Sequence, residues 1–184
     1  LNGKGFLFSF DIDIDAINHS KKRLEGYKNI KIINDSYTNI IEHLEKEGIN
    51  EIDGGVIFDF GASYHQLTSE DRGFSFKYDS KLDMRFNQNS DLTAYEIVNK
   101  YKEDELVYIF SNYGEERYSK RIARAIIEAR KNKKIETTFD LNEIIKKAIP
   151  ITNGRIHYAT RVYQALRIEV NNELKNIMKK QYGR

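Results

Sequence analysis

The sequence predicts an α/β unit interrupted by a helical insertion, and three observations predict it. Over the first 60 residues, short apolar runs ending on acids alternate with helical patterns. After Gln66 no convincing strand appears, and the chain reads as a series of amphipathic helices. A last long helical stretch, from Ala159 through Met178, carries enough apolar residues to return to the sheet. The expected boundaries put residues 1–66 and 158–184 in the sheet-bearing part and 67–157 in the insertion.

Each element has its own reason. "GFLFSFD" (Gly5–Asp11) is a short apolar run closed by an acid and reads as a buried strand. "DAINHSKKRLEGY" follows, with Ala16, Ile17 and Leu24 at roughly helical spacing. "NIKIIND" (Asn29–Asp35) alternates as a second strand, and "NIIEHLEKEG" is a short helix stopped by Gly48. "GGVIFDF" (Gly54–Phe60) reads as a third strand. Beyond it, "TAYEIVNKY", "KEDELVYIFSNY", "GEERYSKRIARAIIEARKNKK" and "TFDLNEIIKKA" all read as helices. The third of these places Ile122, Ile126 and Ile127 on one side, with Lys120, Arg121, Arg124 and Arg130 around it. Pro150, the sole proline, breaks the chain near "ITNGR". In the last helix Val162, Leu166, Ile168, Val170 and Leu174 are available for burial.

Composition narrows the function classes. At 184 residues with 40% hydrophobic and 32% charged side chains, the chain reads as soluble and globular. It has no cysteine, which excludes disulfides and thiolate metal sites and suits a reducing cytoplasm. A net charge of +2 is too small to indicate nucleic acid, but the Arg117–Lys134 helix is locally basic. That helix reads either as a face toward phosphate or as an ordinary solvated face. No apolar run approaches the roughly 18–20 residues of a membrane span.

Among the motifs, "DIDID" (Asp11–Asp15) has acids at alternate positions, as a calcium loop does. Ala16 and Lys22 stand where that loop wants glycine and glutamate, so calcium is disfavoured. The same acids support another reading. Asp11 would end a parallel strand, where an acid accepts hydrogen bonds from ribose hydroxyls, while Asp13 or Asp15 would start a helix. "FDFG" (Phe58–Gly61) lacks the catalytic and glycine-rich loops that would make it a kinase motif. The four histidines show no metal-ligand spacing.

Four longer stretches then resemble one family: "DGGVIFDFGAS–HQL–EDRGFSF", "LDMRF", "YGEERYSKRIARAI" and "ATRVYQALRIEVNNEL". Together, and in this order, they resemble the MraW/RsmH family. Its members are S-adenosylmethionine-dependent methyltransferases acting on the exocyclic amine of a cytidine in 16S ribosomal RNA. The resemblance covers nearly the whole chain. It implies a partial Rossmann-like class I methyltransferase domain with an all-helical insertion domain, and S-adenosylmethionine as cofactor. The implied partner is small-subunit ribosomal RNA or the 30S particle, in the cytoplasm, with neither membrane nor DNA involved and a homodimer left open.

Residue by residue, the resemblance puts Asp11 on the cofactor ribose and Tyr37 on the adenine pocket. Asp59 and Gln66 fall on further cofactor positions, with Asp59 bordering the methyl-transfer centre as the catalytic candidate. Arg72, Phe74 and Arg85 are the RNA-side candidates. Three departures stand out. Tyr64 and His65 replace a Ser-Pro pair in the family's Ser-Ser-Pro-Gln loop. The family's Gly-rich cofactor loop would lie upstream of residue 1, and its Gly-Gly-Arg strand beyond Arg184. These residues are thus expected to be a central fragment whose Gly5–Asp11 and Gly54–Phe60 strands lack the strand that separates them. They would bind cofactor poorly, be marginally stable and be inactive in isolation. The alternative is a non-catalytic RNA-binding or ribosome-associated remnant of the family.

Overall fold

The computed structural model describes residues 5–150 and 157–182. The chain divides into two compact units, residues 1–60 with 86–88 and 175–184, and residues 61–85 with 89–174. The architecture is α/β, with a two-stranded parallel sheet and nine α-helices among the described residues.

The first unit is built on β1 (Leu7–Asp11), α1 (Ile14–Arg23) and β2 (Ile30–Asn34). The strands pair in parallel from Leu7 opposite Ile30 to Asp11 opposite Asn34. Helix α1 crosses between them and buries Ile17. Asp13 starts this helix by accepting the Asp15 amide at 3.0 Å, and Lys21, Lys22 and Arg23 close its last turn against the helix dipole. Of the two acids expected to cap α1, the structure uses Asp13. Past β2, Ser36 caps a short 3-10 turn (Tyr37–Asn39) that runs into α2 (Ile40–Lys46), which buries Leu44.

The third predicted strand, Gly54–Phe60, is not formed. Val56, Ile57, Phe58 and Phe60 are exposed, Ile57 by 95%. The physical reason lies in pairing. A strand holds only when a neighbour takes its backbone N–H and C=O groups, and β1 pairs with β2 alone among the described residues.

The second unit is helical: α3 (Tyr64–Thr68), α4 (Ala94–Lys100), α5 (Glu103–Asn112), α6 (Ser119–Asn132), α7 (Thr138–Ala148) and α8 (Thr160–Val170). Helix α5 packs on α6 and α8, α6 on α7, and α4 on α6 and α8. Leu106 and Phe110 of α5, Ile122 and Ile126 of α6, Leu141 and Ile145 of α7, and Val162 and Leu166 of α8 are completely buried. All recur at a spacing of four, which sets one stripe of each helix inward. Each such side chain contributes about 1.5–3 kcal/mol by leaving water. Thr137 and Asp140 form a reciprocal capping box that fixes where α7 begins.

The last helix differs from expectation in two ways. It breaks after Val170 and resumes as α9 (Glu173–Tyr182). Asn171 Nδ2 donates to the Met84 carbonyl at 2.8 Å and to the Arg167 carbonyl at 2.9 Å, and Asn172 takes a left-handed φ of 51°. Asparagine tolerates that conformation better than most residues, so the pair ends one helix and starts another. Arg167 spans the break, its Nε 2.9 Å from a Glu173 carboxylate oxygen. In addition, α8 packs on α4 and α5 within the helical unit, and Leu174, expected inside, is 40% exposed. The Pro150 break, at "ITNGR", runs into residues 151–156, outside the described residues.

Candidate functional site

Three of the predicted cofactor residues lie in the sheet unit. Asp11 is the last residue of β1, at the C-terminal end of the parallel pair. Its Oδ1 accepts the Asp13 amide at 2.8 Å, and its carbonyl accepts Asn34 Nδ2 at 3.0 Å. Desolvation by its neighbours pushes the Asp11 carboxyl up from the usual carboxylate range, and the nearby Asp13 charge adds to this. Amides from Asp13 and Ile12 pull it partly back.

Tyr37 sits just past the end of β2, three residues beyond Asn34, so it shares the C-terminal edge of the pair with Asp11. Its ring meets two others edge-on: Phe58 at 5.7 Å and Phe60 at 5.4 Å between centroids. Phe58 and Phe60 stack on each other at 5.6 Å with their planes 6° apart. This three-ring contact packs the Gly54–Phe60 segment against Tyr37, and it flanks Asp59, which is exposed between the two phenylalanines. Sequence reasoning found Asp59 and Tyr37 but missed Phe58 and Phe60 as the groups joining them. The alternation of aromatics around the acid was the signal.

Next to Tyr37, His43 Nε2 lies 2.8 Å from Asp35 Oδ2, and Asn39 Nδ2 donates to Asp35 Oδ1 at 3.0 Å. The His43 hydrogen bond leads the effects that hold the Asp35 carboxyl below its ordinary range. These contacts fix the turn that carries Tyr37.

Gln66 belongs to the helical unit, where its role is visible. The Ser63 amide donates to Gln66 Oε1 at 2.8 Å, and the Gln66 amide donates to Ser63 Oγ at 3.2 Å. This capping box starts α3, a helix that sequence reasoning took for loop although Ser-x-x-Gln is its signature. Gln66 is buried, while Tyr64 and His65 are exposed. The Tyr64-His65 replacement therefore leaves the capping box intact.

The expected RNA-side residues occupy a folded loop. Arg72 and Phe74 are buried, with the Arg72 guanidinium 5.9 Å from the Phe74 ring centroid. Arg72 Nη2 donates to the Arg85 carbonyl at 2.9 Å, and the Met84 amide returns a bond to the Arg72 carbonyl at 3.0 Å. Between them Gly73 has a φ of 71°, and a Cβ there would lie 2.3 Å from the Lys81 carbonyl oxygen. Only glycine lets the two loop segments approach this closely. Arg85 reaches both oxygens of Asp83, through Nε to Oδ1 at 2.9 Å and Nη2 to Oδ2 at 2.7 Å. Its Nη1 donates to the Ser90 carbonyl at 2.6 Å. Burial pushes the Asp83 carboxyl up, but hydrogen bonds from the Arg85 side chain and amide, with the charges of Arg85 and Arg72, hold it below the ordinary range. Sequence reasoning missed Asp83, although "LDMRF" contains it.

A profile of the MraW methylase family matches residues 1–181. The chain is 47% identical over 177 residues to ribosomal RNA small subunit methyltransferase H of Caldicellulosiruptor bescii, covering 96% of this chain and 57% of that protein. It is 49% identical over 183 residues to the protein of the same name from Clostridioides difficile, covering 97% and 58%. A third, from Malacoplasma penetrans, is 46% identical over 181 residues. The chain thus spans less than three fifths of the length of these relatives. With a family profile matched over almost every residue, the chain belongs to the MraW methylase family.

Proposed function

We propose that this chain is part of a methyltransferase acting on the exocyclic amine of a cytidine in small-subunit ribosomal RNA, with S-adenosylmethionine as donor. The observation that carries the reading is the placement of Asp11 and Tyr37 at one C-terminal strand edge in a chain related throughout to proteins named for ribosomal RNA methylation. A carboxylate ending a parallel strand with an aromatic ring beside it fits a ribose and a purine. When bound, S-adenosylmethionine supplies an electrophilic methyl group on a sulfonium.

The chain's own residues then have definite work. Asp11 accepts hydrogen bonds from ribose hydroxyls, and Tyr37 presents a ring to adenine. Asp59 accepts a hydrogen bond from the cytosine amine, whose lone pair is otherwise delocalised into the ring. That bond favours a pyramidal nitrogen and orients it for attack. Gln66 is a further cofactor contact on this reading, and it also fixes the start of α3. Arg72, Phe74 and Arg85 shape the loop that faces the RNA rather than reaching out to it. In this reading residues 1–66 and 158–184 form the partial Rossmann-like domain and 67–157 the insertion. The partner is the 30S particle in the cytoplasm, and the 184 residues in isolation are inactive.

The test is transfer of labelled methyl groups to small-subunit particles by the whole protein that carries these residues. Transfer lost in Asp59→Ala and Asp11→Ala supports the enzyme. RNA binding with no transfer by the wild type supports the non-catalytic alternative. The 184 residues in isolation bind the cofactor poorly on this reading, and a low-micromolar dissociation constant for them contradicts that.

A further inference from the structure

Helix α6 carries two kinds of cation. From Arg124 onward they are paired: Arg124 Nε lies 2.9 Å from a Glu103 oxygen and Lys131 Nζ 2.6 Å from Glu128. Lys133 reaches Asp140 at 3.4 Å, and Arg130 donates to the Val98 carbonyl at 2.8 Å. Around the start of the helix this pairing stops. Arg117, Lys120, Arg121 and Arg161 have no carboxylate within ion-pair distance among the described residues.

Three of these are nonetheless tied to one short stretch, 115–118, and Lys120 is exposed beside Arg121 in sequence. The Arg117 and Arg121 guanidiniums lie 6.0 and 5.9 Å from the centroid of one ring, that of Tyr118. Arg161, at the start of α8, donates through Nη1 to the Glu115 carbonyl at 2.8 Å. A Cβ on Gly114 would lie 2.3 Å from the Arg161 carbonyl oxygen, so α8 is pressed against the turn that leads into α6. Glu116 is buried and accepts the Tyr118 amide at 2.8 Å, while Glu115 is exposed and meets Arg161 through its carbonyl, its carboxylate forming no ion pair with the four.

Like charges four residues apart repel, and here an aromatic ring draws two of them together. A merely solvated helix face would pair or spread its cations, as α6 does from Arg124 onward. An anion bound between them relieves the repulsion, and the positive end of the α6 dipole favours it too. Planar guanidiniums match phosphate oxygens in pairs.

We propose that Arg117, Lys120, Arg121 and Arg161 form a surface for the phosphodiester backbone of RNA, with Tyr118 holding two of the guanidiniums in place. The choice of RNA rests on the reading given under Proposed function; the convergence of charge does not depend on it. The surface is separate from the Arg72–Arg85 loop, whose cations are engaged within the fold.

The experiment is fluorescence anisotropy of a short labelled oligoribonucleotide of mixed sequence, titrated with the full chain across a series of KCl concentrations. In Arg117→Gln/Lys120→Gln/Arg121→Gln, affinity at low salt falls about tenfold or more, and the slope of log affinity against log salt shrinks by about two. The variant Lys131→Gln/Lys133→Gln/Lys134→Gln removes the same charge and changes affinity less than about twofold, since two of its cations already face carboxylates. Equal losses from the two variants, no loss from the first, or no binding by the wild type would each overturn the surface. Methyl transfer separates the two ideas. Undiminished RNA affinity with transfer intact in the first variant sinks the surface alone. Binding that depends on the cluster, without transfer by the wild type, sinks the enzyme reading alone.

Discussion

Ser63 and Gln66 hold each other twice, each backbone amide donating to the other's side chain, at 2.8 and 3.2 Å. A residue expected at a cofactor site is thus also the device that starts a helix. Gln66→Ala is expected to cost about 1 kcal/mol of stability, the usual loss for an N-terminal cap. Gln66→Glu keeps an acceptor at the same place and recovers most of it. Urea midpoints of the two variants check this. If Glu restores stability but not cofactor affinity, Gln66 has a role at the ligand beyond the cap.

Asp11→Asn is expected to separate stability from binding. The folded Asp11 carboxyl lies above its unfolded value because desolvation disfavours its charge. At neutral pH the ionised group therefore opposes folding, and the amide variant melts at a higher temperature. The advantage fades as pH falls through the raised folded value and is gone below about 4, where the carboxyl is protonated in the unfolded chain too. The same change weakens cofactor binding about tenfold or more by removing a charged acceptor, on the reading proposed for this chain. Thermal melts at pH 7 and pH 3 test the first part and cofactor titration of the whole protein the second.

The helical unit responds to acid in the opposite sense. Asp83 and Asp140 have folded values below the unfolded one, Asp83 because Arg85 and Arg72 outweigh its burial. Their contribution is complete above the unfolded value, about 3.9, and is lost as pH falls through the lower folded values. Asp83→Asn is expected to flatten this acid limb and to cost about 2 kcal/mol at neutral pH, as a lost charge-assisted pair does. Urea unfolding at a series of pH values between neutrality and strong acid decides it; an unchanged acid limb in the variant removes Asp83 from the account.

Gly73→Ala should be the most damaging small substitution in the loop. The added carbon would sit 2.3 Å from the Lys81 oxygen and 2.9 Å from the Asp83 nitrogen, on a backbone already at positive φ. Overpacking and the left-handed conformation together put the loss at about 3 kcal/mol or more. Gly26→Ala, with nothing within 4 Å of the new carbon, is the control and should stay within about 0.5 kcal/mol.

Much of this fold is legible where structure follows local rules. The β1–α1–β2 unit is readable because apolar runs ending on Asp11 and Asn34–Asp35 bracket a helix capped by its own Asp13. Helices α4 to α7 are readable from their spacing. What escapes depends on distant partners. The Gly54–Phe60 run has the composition of a strand but not the neighbour, so it settles on Tyr37 instead. The break at Asn171 depends on the Met84 carbonyl, 87 residues away in sequence. Arg72 and Phe74 look like a cation and an aromatic offered to a ligand. Their burial follows only from the loop folding back through Gly73, which no local pattern announces.

The loop from Arg72 to Met84 is secured by groups far later in the chain. Thr138 reaches back 58 and 60 residues to Ser80 and Tyr78, Asn142 reaches back 66 to Phe76, and Asn171 reaches back 87 to Met84. Synthesis runs from the N-terminus, so β1, α1 and β2 can pack on one another before this loop is even made. The loop itself must wait, with its apolar side chains uncovered, until α7 and the end of α8 emerge. A ribosome that stalls within that interval leaves a nascent chain with a completed strand pair and an unfastened loop, the stretch that proteases and chaperones would meet first.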